Sequence, residues 1–75
     1  IRYELLRALP VTLQIFDTAG RLVQTLVSQD LQAAGSYEVI WDGKNKSGEA
    51  TSSGIYMYRM TSGAVSQTGK AVLIR

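Results

Sequence analysis

Histidine and cysteine are both absent from the 75-residue sequence. A Ser or Thr hydroxyl needs a neighbouring base before it attacks a carbonyl, and without imidazole the commonest base is missing. A carboxylate pair could still work as acid and base. The six acids, Glu4, Asp17, Asp30, Glu38, Asp42 and Glu49, fall instead in turns and at outward strand positions, where solvation leaves them ordinary. The chain is therefore read as non-enzymatic. Residues Asp42-Gly43-Lys44-Asn45-Lys46-Ser47-Gly48-Glu49 have the oxygen-rich look of a calcium loop but fail on spacing. Ligands at alternate positions from Asp42 would fall on Lys44 and Lys46, whose charge repels a cation. No metal or cofactor is expected, and Asp42 is expected to accept backbone N–H groups that organise the loop. Asn45-Lys46-Ser47 has the N-glycan acceptor pattern, which is short enough to arise often by chance.

Partner chemistry is similarly restricted. Eight Lys or Arg residues give a net charge of +2, but they are scattered along the chain rather than gathered in the stripe that nucleic acid requires. No apolar run approaches the roughly 20 residues of a membrane helix, so membrane insertion is not expected. Tyr37, Trp41, Tyr56 and Tyr58 could in principle stack on sugars; their strand periodicity assigns them to a core. The chain opens on strand-like residues without a leader, which reads as a module cut from a longer protein.

The elements that position these residues are strands. Ile1, Tyr3 and Leu5 alternate with Arg2 and Glu4 in a first strand reaching Leu6, and Pro10 cannot donate to a ladder. Val11, Leu13 and Ile15 alternate with Thr12 and Gln14 in a second. Asp17-Thr18-Ala19-Gly20 is a hairpin turn in which Asp17 bonds the backbone ahead and Gly20 takes a positive φ. Leu22–Val27 breaks the period of two, because Val23 and Leu26 are three apart. A bulged strand accommodates that spacing, and the β-branched Val23, Thr25 and Val27 oppose a helix over 22–34. Gly35 opens a fourth strand with Tyr37, Val39 and Trp41 on one face, ended by Asp42-Gly43. After the polar loop 43–53, Gly54–Met60 is apolar on both faces and therefore central. Ser62-Gly63 turns into a last strand from Val65 to Arg75.

This spacing predicts an all-β, Ig-like antiparallel sandwich of about six to seven short strands, forming one domain over residues 1–75. Val11, Leu13, Ile15, Val23, Leu26, Tyr37, Val39, Trp41, Tyr56, Tyr58 and Val72 are expected in its core. Gly54-Ile55-Tyr56 has the arrangement of a tyrosine corner, with the phenol bonded to backbone at a sheet edge. Gly20 and Gly54 are accordingly expected to resist substitution more than Gly69.

Taken in order, Ile1–Leu5, Val11–Asp17, Gly20–Val27, Gly35–Gly43, Ser53–Met60 and Lys70–Arg75 resemble the C-terminal sorting domain of the type IX secretion system of Bacteroidota. That family shades into the Ig-like domain of flagellar hook-capping proteins. The resemblance implies a cargo label read by an outer-membrane translocon and trimmed by a surface peptidase, on a protein bound through the periplasm for the exterior or surface of a Gram-negative cell. It places recognition on the terminal block, Lys70, Val72, Leu73, Ile74 and Arg75, with Leu73 and the two charges left available to a partner. It also likens Asp17-Thr18-Ala19 to an O-glycan acceptor triplet, although a plain turn explains those residues better. The alternatives are a structural Ig-like spacer or assembly domain of the hook-cap kind, or a carbohydrate-binding module. A terminal strand at a sheet edge is also open to a strand-edge homo-oligomer.

Overall fold

The computed structural model describes residues 1–74 of the chain. Six strands are present, β1 (Arg2–Leu5), β2 (Leu9–Phe16), β3 (Leu22–Gln32), β4 (Gly35–Glu38), β5 (Gly54–Ser62) and β6 (Val65–Leu73). They form two antiparallel sheets, ordered β1-β4 and β3-β2-β5-β6. This is the small Ig-like sandwich that the turn spacing predicts, and residues 22–34 are strand rather than helix over Leu22–Gln32.

Central strands carry the core because both their neighbours exclude water. Val11, Leu13 and Ile15 of β2 and Tyr56 and Met60 of β5 are buried, as is Leu5 of β1, which closes the sandwich from the opposite sheet. Tyr3, Leu9, Leu26, Val27, Tyr37, Val39 and Tyr58 pack around the cluster of Leu5, Val11, Leu13 and Met60. β3 follows β2 through register shifts between Leu9 and Val11, Leu13 and Gln14, and Ile15 and Phe16. Those bulges bring the irregularly spaced Val23, Leu26 and Val27 to half-buried positions. Pro10 is tolerated within β2 because β5 has already turned at that level, and the Pro10 carbonyl accepts the Gly63 N–H at 3.3 Å.

Four expectations need correction. Val72 is 61% exposed rather than in the core. The two-residue turn Gly63-Ala64 sets Ser62 opposite Val65, which carries through to Ala71 opposite the inward Tyr56 and Val72 opposite the outward Ile55. The first strand ends at Leu5, leaving Leu6 exposed. β4 ends at Glu38, and Trp41 is half-buried beyond it, because Asp42 and Lys44 bend the chain at that point. Gly69, finally, is the glycine with least room. It lies opposite Tyr58, and a Cβ built on it would overlap that ring, so Gly69 is not the easily replaced glycine expected. Gly20 and Gly54 have open space but hold the positive φ, 84° and 154°, on which their expected resistance rests.

Candidate functional site

Polar side chains fold the loops before they can do anything else. Asp17 Oδ1 accepts the N–H groups of Ala19 and Arg21 at 3.0 and 2.9 Å, and the Arg21 guanidinium reaches Asp17 Oδ2 at 2.9 Å. The Arg21 N–H above all, with smaller help from its side chain, holds the Asp17 carboxyl below its ordinary 3.8. Gly20 closes the turn at φ 84°, a conformation costly for residues with a Cβ. Asp42 Oδ1 accepts the Lys44 N–H at 3.0 Å, as expected of a loop organiser. Gly43 is buried, and its carbonyl takes both the N–H and the hydroxyl of Thr51. Asn45 does the same work as Asp42, its Oδ1 accepting from Ser47 and Glu49 at 2.9 and 3.0 Å. Among the described residues no three carboxylates converge.

The aromatic rings are turned on one another. Tyr3 stacks on Tyr37 at 5.2 Å, and Trp41 meets Tyr56 edge-on at 4.9 Å while its Nε1 donates to the Lys44 carbonyl at 2.9 Å. Tyr56 Oη donates to the Ser52 carbonyl at 2.6 Å, two residues after Gly54 at φ 154°, which is the tyrosine corner expected from the sequence. A second one, unpredicted, has the same form: Tyr37 Oη donates to the Ala33 carbonyl at 2.6 Å, two residues after Gly35 at φ 152°.

The residues expected to serve recognition fall on or next to β6, an edge strand of the four-stranded sheet. Lys70, Val72 and Ile74 are exposed, whereas Leu73 is half-buried on the inner side with Ala71. Arg75, the other charge expected to serve recognition, lies outside the described residues. On the outer face Val72 is paired with the exposed Ile55 and Lys70 with Met57, next to Phe16 and Leu22. Arg59 sits 4.8 Å over the Phe16 ring. The outward positions of β5 and β6 thus hold Arg59 and Lys70 and no carboxylate. The outer face of β1 and β4 is different, with Arg2 and Glu38 paired at 2.6 Å and Ser36 near Glu4.

Between β1 and the β5–β6 hairpin is a cleft of ≈ 560 Å³ lined by Leu5, Leu6, Leu9, Met60 and Val65. Ser62 Oγ is buried there without a hydrogen-bond partner. The sequence gives little notice of this cleft, because it depends on the two-stranded sheet stopping short of β6. Gly69 did carry a signal: a glycine inside a strand marks a close approach.

The family profile of the FlgD Ig-like domain matches residues 1–66. No curated protein and no solved structure matches the chain.

Proposed function

We propose that this chain, which belongs to the FlgD Ig-like domain family over residues 1–66, serves as a non-catalytic structural module, an Ig-like spacer or assembly domain of the hook-cap kind. The family match, running from β1 to the start of β6, carries this conclusion. It is supported by a body of 36 × 19 × 19 Å, in which Asp17, Asp42 and Asn45 are engaged in turn and loop bonds. The test is replacement within the parent protein by an unrelated sandwich of equal length. Retained function identifies a spacer, and lost assembly with intact folding identifies a specific assembly domain. Loss of a chemical activity located in the chain itself overturns both.

A second reading, the type IX sorting label, would use the exposed Lys70 and Val72 of the edge strand β6 and the exposed Ile74 just past it. The terminal block from Lys70 lies beyond the matched residues 1–66, so the comparisons lend it no support. With a cargo fused ahead of Ile1, replacing Lys70 and Arg75 by Ser should strand the cargo in the periplasm at unchanged stability. Unimpaired export by that stable double variant removes these charges as recognition determinants.

A further inference from the structure

We infer that β6 is a self-pairing edge, at which two copies of this chain join antiparallel about a two-fold axis on Gly69. The pairing supplies a partner for the structural role above and rests on that role only for its use. Its failure is separable, since a monomeric chain still serves as a spacer.

The two edges of the larger sheet are unlike. β3 is blunted by its three register shifts, and the loop after β4 lies across it, with the Lys46 N–H on the Val23 carbonyl at 2.9 Å and Gln24 Nε2 on the Asn45 carbonyl at 3.0 Å. Bulges and covering loops of this sort are how sheets avoid unwanted pairing. β6 has neither. It keeps unbroken register with β5 from Val65 to Leu73, contains no proline, and carries Lys70 as its single charge.

The turn at Gly63-Ala64 makes Ser62 and Val65 a hydrogen-bonded pair, so by alternation the N–H and C=O groups of Ser66, Thr68, Lys70 and Val72 point away from β5. An axis on Gly69 pairs all nine residues of β6. Thr68 then faces Lys70 of the second copy, Ser66 faces Val72, and the exposed Val65 gains Leu73 beside it. Each ammonium thus meets a hydroxyl. Moving the axis to Lys70 would set the two ammoniums face to face, and moving it to Thr68 would leave Val72 and Leu73 without strand partners. At the axis the strands make their closest approach, a non-hydrogen-bonded pair with Cα atoms about 4.5 Å apart, and Gly69 brings no side chain there. Val65 and Gln67 on the inner face of β6 are exposed, so the edge is open along that half of the strand.

Sedimentation equilibrium over a concentration series tests both pairing and register. Wild type should show a reversible monomer–dimer equilibrium. Thr68→Glu places a carboxylate opposite Lys70 twice across the axis and should tighten the dimer by about fivefold, whereas Thr68→Lys should weaken it by a similar factor. Thr68 is exposed, so both variants should keep the circular dichroism of wild type. A Thr68→Glu variant that dimerises more weakly moves the axis to Thr68 and overturns the register. A chain that stays monomeric at millimolar concentration overturns self-pairing and leaves the edge to an extended segment of another protein.

Discussion

Replacing Gly69 by Ala adds one methyl group where the Tyr58 ring lies against the backbone, with Cε2, Cζ and Oη in its way. The phenol must swing aside, and doing so lifts it from the cluster of Leu5, Val11, Leu13 and Met60 that it packs against. Overpacking of this kind costs about 1–3 kcal/mol. The β-strand gains roughly 0.5–1 kcal/mol from replacing Gly, so a net loss centred on about 1 kcal/mol is expected. With a urea m-value near 1 kcal/mol/M for so small a domain, the unfolding midpoint should fall by about 1 M. Total stability of such a domain is only about 4–11 kcal/mol, so the shift is easily measured. In a Tyr58→Ala background the obstruction is gone, and Gly69→Ala should become neutral or stabilising by about 0.5 kcal/mol. An equal cost in both backgrounds, or a higher midpoint for Gly69→Ala alone, refutes the packing of Tyr58 on Gly69 as the cause.

Tyr56→Phe removes the phenol bonded to Ser52 and should lower stability by about 1 kcal/mol in the same urea assay. The Asp17 carboxyl is held below its ordinary 3.8, chiefly by the Arg21 N–H, so its contribution is present above that value and lost as pH falls through the lower folded one. Asp17→Asn should flatten the acid limb of an otherwise matched stability–pH profile between pH 5 and 2; an unchanged slope refutes the linkage. Val72→Ser should alter stability by no more than about 0.5 kcal/mol, whereas Leu73→Ala should cost about 1–2 kcal/mol. Thermal denaturation of the two checks which side of β6 faces the core.

Alternation made β2 readable, since the buried Val11, Leu13 and Ile15 are separated by the half-buried polar Thr12 and Gln14. The Asp17–Gly20 turn and the Tyr56 corner were legible for a different reason: each depends on a few adjacent residues whose φ values and hydrogen bonds are set locally. β6 defeated the same treatment. Ala71-Val72-Leu73-Ile74 is apolar at every position, so periodicity cannot say which side faces inward, and the answer came from the register fixed at Ser62 and Val65, eight residues or so earlier. Trp41 was misplaced because Tyr37, Val39 and Trp41 keep a period of two that looks like continuing strand, while the bend imposed by Asp42 and Lys44 belongs to the loop. The cleft beside Ser62 is a property of how far one sheet extends over the other, which depends on contacts distant in sequence.

The two tyrosine corners occupy related places in the chain. β2–β3 and β5–β6 are hairpins within one sheet; the chain changes sheets only between β1 and β2, β3 and β4, and β4 and β5. Tyr37 stands just after the second of these crossings and Tyr56 just after the third. Each has a positive-φ glycine two residues before it and a carbonyl acceptor four residues before it. The first crossing has no tyrosine and is held by the burial of Leu5 and by the ladders of Tyr3 with Tyr37 and Val11 with Ser62 on either side. A sandwich without cysteine has no covalent tie between its sheets. Here the phenol fixes the angle at which the chain enters the new sheet while its ring packs against the core or the facing strand. The consequences are unequal. Tyr56 leads a central strand bonded on both sides, whereas Tyr37 leads β4, whose one ladder is with β1. Loss of the Tyr37 bond should therefore loosen the β1–β4 pair locally, raising amide exchange at Tyr3 and Leu5, before it lowers the stability of the four-stranded sheet. Uniform exchange across both sheets in Tyr37→Phe would show that the two sheets open as one unit and that the corner acts globally.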